Sequence, residues 1–339
     1  MIGVICFMSD FKGVAVYCEL KSDRILPISA EGLGIGRKLA DNLGQELAAV
    51  LVGSNIGAMA PQAIAYGADK VYVIDSPQLK DYQTDAYLMA LEKAVNQVKP
   101  QIVIMGQTDS GREIAPRLAF RLGTAATLDC VDLAIDTTSK RLLQTKPVYG
   151  GNAQAVFTTS TDPQVVTIRT KAMTALTPDA SRKGEIISLP AEIDTAAIKT
   201  KIINRVVEEV AGIKIEDAHV VVAGGRGIGN AEGFKQLDEL ARLLKGAVGA
   251  SRPPCDNNWI TDTAQIGLTG KIIAPEVYIA VAISGSSQHM SGCSGSKTII
   301  AINKDKEANI FRQARFGVVG DWKKVLPAFT QKLKELMAS

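Results

Sequence analysis

The feature that most limits the fold is a series of short, unbroken apolar runs in the first third of the chain. They read GVAVYCEL at residues 13–20, ELAAVLVG at 46–53, KVYVIDS at 70–76 and QIVIMGQT at 101–108. None alternates apolar with polar residues, so none has a solvated face. Such runs are strands covered on both sides. Helical patterns near residues 31–43, 59–66, 85–98 and 111–122 fill the gaps. Strand–helix alternation predicts a parallel sheet with helices on both faces. After Gly123 the rhythm changes. ATLDCVDLAID, KRLLQTKPVYGGNAQAVFTTS and QVVTIRT read as consecutive strands with turns at Thr138-Ser139 and Gly150-Gly151, which predicts a β-hairpin extension. Residues 174–201 show no sustained period, and a domain boundary is expected near Arg205.

A second alternating series follows. Its strands are AHVVVAGGRG (218–227), GAVGASRP (246–253), EVYIAVAISG (276–285) and KTIIAINKD (297–305), with a helix at about 231–245. A last helix carries Val325, Leu326, Phe329 and Leu333 at helical spacing. The expected class is α/β, with two Rossmann-like parallel-sheet domains at 1–204 and 205–339, the first bearing the β-hairpin extension. A length of 339 residues is enough for two cores.

Composition removes several functions. A net charge of +3 without basic blocks, and 5% aromatics, argue against nucleic acid and membrane surfaces. Cys6, Cys18, Cys130, Cys255 and Cys293 are scattered with no C-x-x-C spacing, the pattern of reduced thiols. With His219 and His289 as the only histidines, no metal site is expected. The start of the chain lacks signal or transit character, and no apolar run approaches a membrane span, so an intracellular, cytoplasmic protein is expected.

Four stretches can carry chemistry. VVVAGGRGIGN places a glycine-rich turn between a strand and a helix, the setting of a dinucleotide fingerprint. Asn230 stands where the third glycine belongs, and a tight turn without ligand remains the competing reading. Ser284, Gly285, Ser286, Ser287 and Gln288 follow a strand directly and suit an anion-binding nest, with His289 beside it. Arg252, followed by Pro253 and Pro254, offers a planar cation at a strand end, or a surface ion pair. Thr269 lies between Gly267 and Gly270, as a turn residue or a hydroxyl offered to a ligand. Cys255 and Cys293 lack partners for nucleophilic catalysis, and Ser287 with His289 lacks G-x-S-x-G.

Five ordered blocks, VVAGGRG, GASRP, QIGLTGKIIAPEVYIAVAISGSSQHMSG, INKDKEANIF and GVVGDWKKVLP, resemble the alpha subunit of electron-transfer flavoproteins. The first half is similar to that family's N-terminal domain. The resemblance implies non-covalent FAD in the second domain. The residues it assigns to the cofactor are Arg226, Ser251, Arg252, Gln265, Ile266, Gly267, Leu268, Thr269, Ser284, Gly285, Ser286, Ser287, Gln288, His289, Asn303, Asp321 and Trp322. Leu268 replaces a polar Gln found in many members. Residues 284–288 would cradle the pyrophosphate, and Thr269 would donate a hydrogen bond at flavin N5. Arg252 and His289 would stabilise negative charge on the reduced flavin.

The same resemblance implies an electron carrier rather than an enzyme. It would form a heterodimer with a beta subunit packed on the N-terminal domain. Electrons would come from flavin dehydrogenases of the acyl-CoA dehydrogenase type, as in fatty acid β-oxidation, and pass to a quinone-linked or other acceptor. A close alternative is the alpha subunit of an electron-bifurcating, NADH-dependent flavoprotein, part of an NAD-dependent dehydrogenase complex with a second FAD in the beta subunit. From the residues alone, Arg252 also fits an NADP-binding module without flavin, and a nucleotide-binding structural protein is the blandest alternative.

Overall fold

A computed structural model describes residues 10–21, 23–151, 153–204 and 213–338. The expected boundary near Arg205, and the N-terminal stretch with Cys6, lie outside the described residues. Two compact units are present, one built before residue 148 and from 154 to 204, the other from Val148–Ala153 and the residues from 213 on.

In the first unit β1 (Val14–Cys18) is followed by a minimal antiparallel pair, β2 (Leu20–Lys21) and β3 (Arg24–Ile25), and by α1 (Pro27–Leu43). Then come β4 (Leu47–Gly53), α2 (Ala60–Ala65), β5 (Lys70–Asp75), α3 (Thr84–Val98), β6 (Ile102–Gly106) and α4 (Asp109–Arg121). The remaining strands are β7 (Ala126–Cys130), β8 (Asp132–Ile135), β9 (Leu142–Val148), β10 (Ala153–Phe157), β11 (Gln164–Ile168) and β12 (Glu185–Ser188). Among the described residues, seven strands form a parallel sheet in the order β12-β5-β4-β1-β6-β11-β7. Val14, Val16 and Cys18 pack with Leu33 and Leu39 of α1, while Ala15 and Tyr17 pack with Leu91 of α3 and Leu118 of α4. Both faces of β1 are therefore core, which is why its sequence does not alternate.

Two expectations are corrected. Only β8, β9 and β10 form the extension, a separate three-stranded sheet. β7 and β11 join the main sheet, because every residue of β11 is buried and needs cover on both sides. The stretch from 174 to 201, read as aperiodic, contributes β12 at the sheet edge, where exposed positions such as Ile186 carry no pattern.

The second unit contains β13 (Val220–Gly224), α5 (Ala231–Leu243), β14 (Ala247–Ala250), α6 (Arg252–Asp256), β15 (Val277–Val281), α7 (Ser287–Cys293), β16 (Thr298–Asn303), β17 (Phe316–Val319) and α8 (Trp322–Ala338). Its parallel sheet runs β14-β13-β15-β16-β17. The direction of winding reverses between β13 and β15, and that reversal opens a crevice beyond their carboxyl ends. β17 was not anticipated, because all its residues are exposed. Val222, Ile279 and Val281 pack with Phe234 and Leu237 of α5 and Leu326 of α8. The other face sets Val221, Ala223, Tyr278 and Ala280 against Ile266, Met290 and Cys293. Among the described residues no helix is long and apolar enough to cross a membrane.

Leu237 is fully buried. Its replacement by Ala is expected to destabilise the second unit by about 2–5 kcal/mol. Trp259 and Trp322 both lie in this unit, so tryptophan fluorescence during urea unfolding reads it alone. An unchanged midpoint in Leu237→Ala would contradict the packing of α5.

Candidate functional site

β13 and β15 end level with one another, Gly224 opposite Val281. The Gly225 amide donates to the Val281 carbonyl at 2.9 Å. A Cβ on Gly225 would lie 2.1 Å from the Ala282 carbonyl oxygen, so only glycine allows this approach. Ala282 has φ +53°, in the left-handed region, and donates its amide to Ile302 at 2.8 Å. Residues 226–228 then make a single 3-10 turn, and Asn230 caps α5 by accepting the Gly233 amide at 3.0 Å. The position of the third fingerprint glycine is thus a helix cap. Close packing falls to Gly233, where a Cβ would meet the Ile228 side chain at 2.5 Å.

Around these strand ends lies a cleft of about 660 Å³, within the roughly 300–1,000 Å³ typical of ligand sites. Of the residues assigned by resemblance, it gathers Arg226, Ser251, Arg252, Gln265, Ile266, Gly267, Leu268, Thr269, Ser284, Ser286, Gln288, His289 and Asn303. Lys304 and Asp305 also line it; the sequence reading stopped at Asn303, although the same block carries them. Arg226, Arg252 and Lys304 make the walls positive, opposed by Asp305. Arg252 opens α6, and its guanidinium is 65% exposed with a loose contact to Asp256 at 3.3 Å. So exposed an ion pair contributes little and leaves the cation free to swing.

The loop at 265–271 is pinned to its neighbours. The Ile266 amide donates to Ala250 and the Leu268 amide to Gln288, each at 2.8 Å. Gln265 Nε2 donates to Thr269 Oγ1 at 3.0 Å, which leaves the threonine its own proton to give. Leu268, 63% exposed, adds an apolar surface.

Gly285 adopts φ +78°, and a Cβ there would meet the Ile310 amide nitrogen at 2.4 Å. Ser286 caps α7 by accepting the His289 amide at 3.4 Å. The amides of Ser287 and Gln288, in the first helical turn, lack intrahelical acceptors and suit an anion. Gly285 and Ser287 are not themselves in the cleft wall. The first turns the chain, and the hydroxyl of the second donates to Gln288 Oε1 at 3.3 Å. Asn303 ties strand ends together, donating to the Ile283 carbonyl at 2.9 Å and accepting the Asp305 amide at 3.0 Å. Asp321 and Trp322 line an adjoining recess of about 210 Å³. Asp321 accepts the Lys323 amide, and the buried Trp322 indole donates to the Gly227 carbonyl at 3.0 Å. Trp322 therefore holds the rim, its one polar hydrogen already used.

His289 departs from expectation. It is 5% exposed, with Nδ1 3.1 Å from the Ile266 carbonyl and Nε2 2.7 Å from the Tyr278 hydroxyl. A carbonyl only accepts, so Nδ1 carries the proton and Nε2 accepts from Tyr278. Burial outweighs the bond to Ile266 and lowers the imidazole pKa to about 4. The ring is neutral near pH 7, and both nitrogens are spent on the protein. As neutral imidazole it brings hydrogen bonds rather than charge to the cleft wall. Its partner Tyr278 escaped the sequence reading because it sits inside an apolar strand.

Among the described residues the other reactive groups are buried or already bonded. Among the described residues no cluster of His, Cys, Asp and Glu could hold a metal. Cys18, Cys130, Cys255 and Cys293 are buried, and burial raises their pKa values, that of Cys255 to about 11. In the first unit the buried Glu19 carboxylate accepts from Thr108 at 2.7 Å and Ser110 at 2.5 Å. Burial raises the pKa of this carboxyl, and Thr108 itself caps α4 by accepting the Gly111 amide at 3.0 Å.

Comparison with known proteins identifies the family. The family model described as the electron transfer flavoprotein domain matches residues 14–194, and that of the electron transfer flavoprotein FAD-binding domain matches 214–294. The electron transfer flavoprotein subunit alpha of Thermoanaerobacterium thermosaccharolyticum is 42% identical over 97% of this chain and 100% of its own. That of Megasphaera elsdenii is 41% identical over 97% of this chain and 98% of its own. Protein FixB of Azotobacter vinelandii is 38% identical over 96% and 92%.

The buried histidine has a measurable consequence. Its pKa in the folded protein, about 4, lies below the ordinary 6.5. Its contribution to stability is whole above the ordinary value and is lost as pH falls towards the folded one, by on the order of 3 kcal/mol. In an NMR titration the ring proton of His289 should move near pH 4; movement near pH 6.5 would refute its burial as neutral imidazole.

Proposed function

The chain belongs to the electron transfer flavoprotein alpha subunit family, and from that premise we propose that its second unit seats FAD at the ends of β13 and β15. FAD is the family's cofactor, and members are electron carriers rather than enzymes in the usual sense. The observation that carries the placement is convergence. Residues distant in sequence, from Arg226 to Asn303, meet in one cleft where the winding of the sheet reverses. The fit is supported by the close backbone approaches that only glycine permits at Gly225 and Gly285, which shape the loops beside the cleft, and by cations on walls that also expose apolar surface.

The bound cofactor supplies reversible acceptance of one or two electrons, and the protein supplies position and electrostatics. The start of α7 and the glycine turn after β13 offer backbone amides to the pyrophosphate. Thr269 accepts from Gln265 and would keep its own proton to donate to the ring system. Arg252 provides positive charge that rewards the reduced state, without the help of His289. The carrier pairs with a beta subunit through its first unit. It takes electrons from flavin dehydrogenases of the acyl-CoA dehydrogenase type and delivers them to a separate acceptor. Bifurcation is the alternative within the family, and it differs chiefly in the partner's cofactor.

Co-expression with the beta subunit should yield a yellow heterodimer. A colourless complex that binds NADPH tightly would defeat the assignment. Reduction by NADH together with a second FAD per heterodimer would replace the simple carrier by the bifurcating form. Arg252→Ala should lower the flavin potential. A charge-assisted hydrogen bond of roughly 1.5–3 kcal/mol corresponds to tens of millivolts, at about 30 mV per 1.4 kcal/mol for two electrons. An unchanged potential in a redox titration would remove Arg252 from this role.

A further inference from the structure

The largest fully buried side chain among the described residues is Tyr278, the second residue of β15. A buried hydroxyl costs stability unless it is hydrogen-bonded, and phenylalanine would fill the same space without that cost. We propose that Tyr278 is a positioning residue for the cofactor loop, fixing the tautomer of His289 and, through it, the backbone of the loop at 265–269. The inference rests on the FAD reading for its purpose but not for its geometry.

The chain of contacts is short and directional. The Tyr278 hydroxyl lies 2.7 Å from His289 Nε2, and His289 Nδ1 lies 3.1 Å from the Ile266 carbonyl. Donation from Tyr278 keeps Nε2 bare, which puts the only ring proton on Nδ1, where Ile266 requires it. The Ile266 amide is bonded to Ala250 at 2.8 Å, so the residue is held on both sides. Next, the Gly267 backbone passes so close to α7 that a Cβ on it would lie 3.0 Å from the Gln288 carbonyl oxygen, and the Leu268 amide donates to that oxygen. Residues 288 and 289 of α7 thus clamp the segment that presents Leu268 and Thr269 to the cleft. Without the tyrosine hydroxyl, Nε2 loses its donor, and the ring is free to take the other tautomer and release Ile266. The Cys293 thiol also lies against the Tyr278 hydroxyl, but a thiol is a weak donor and does not replace it.

The chain has two histidines, which makes the test clean. In the unaltered protein, long-range proton–nitrogen spectra of the imidazoles should show His289 with its proton on Nδ1, and the exposed His219 serves as an internal reference. In Tyr278→Phe, the His289 signals should shift towards the Nε2-protonated form. The dissociation constant for FAD, measured on the heterodimer after flavin removal, should rise on the order of tenfold. An Nε2 proton in the unaltered protein overturns the proposal whether or not the chain folds after substitution. So does a Tyr278→Phe protein that loses stability while its tautomer and FAD affinity stay unchanged, which is the outcome of a purely structural tyrosine. Failure of the unaltered heterodimer to bind FAD would instead overturn the cofactor placement, while the tautomer result would stand or fall separately.

Discussion

The cleft depends on a single close approach, that of Gly225 to the carbonyl of Ala282. Two parallel strands end level, and the chain leaving one passes directly over the chain leaving the other. Because no side chain separates them, the amides and carbonyls of both loops are brought to one spot. Arg226 follows directly from this point and the cap of α7 lies four residues beyond Ala282, while the loop at 265–271 is pinned from the side, to Ala250 and Gln288. The sheet order determines where this can occur, since only at the reversal between β13 and β15 do the outgoing chains diverge.

The electrostatics divide labour in a way the residue types alone do not disclose. Positive charge in the cleft comes from long side chains, the exposed Arg252 and Arg226 together with Lys304. The histidine, usually the versatile charge carrier, is locked in its neutral form and acts as a hydrogen-bonded strut. The first unit takes a different course. There the buried Glu19, its pKa raised by burial, is held by the hydroxyls of Thr108 and Ser110 at the start of α4.

Much of this was legible in the sequence. Strands buried on both faces, such as β1, β4 and β15, announce themselves as unbroken apolar runs, and the glycine and serine turns after β13 and β15 mark the site. The edge strands β12 and β17 were not legible, since an edge strand needs few apolar residues and most of theirs are exposed. Nor could periodicity show that β7 and β11 enter the main sheet, because strand order is a long-range property. The surroundings of His289 were not legible for a related reason. Burial holds it neutral, and Tyr278 and the Ile266 carbonyl orient its ring, none of which is marked by any local pattern.

The crowding at the strand ends also has a consequence for how such sequences can vary. A Cβ on Gly227 would stand 3.0 Å from the Cβ of Ala282, and Gly225 is barred by the Ala282 carbonyl. Ala282 itself, held at φ +53°, excludes β-branched residues. Positions 225, 227 and 282 therefore share one small volume between them. Substitutions at these sites are not independent, and drift at one is permitted only by what the other two already are.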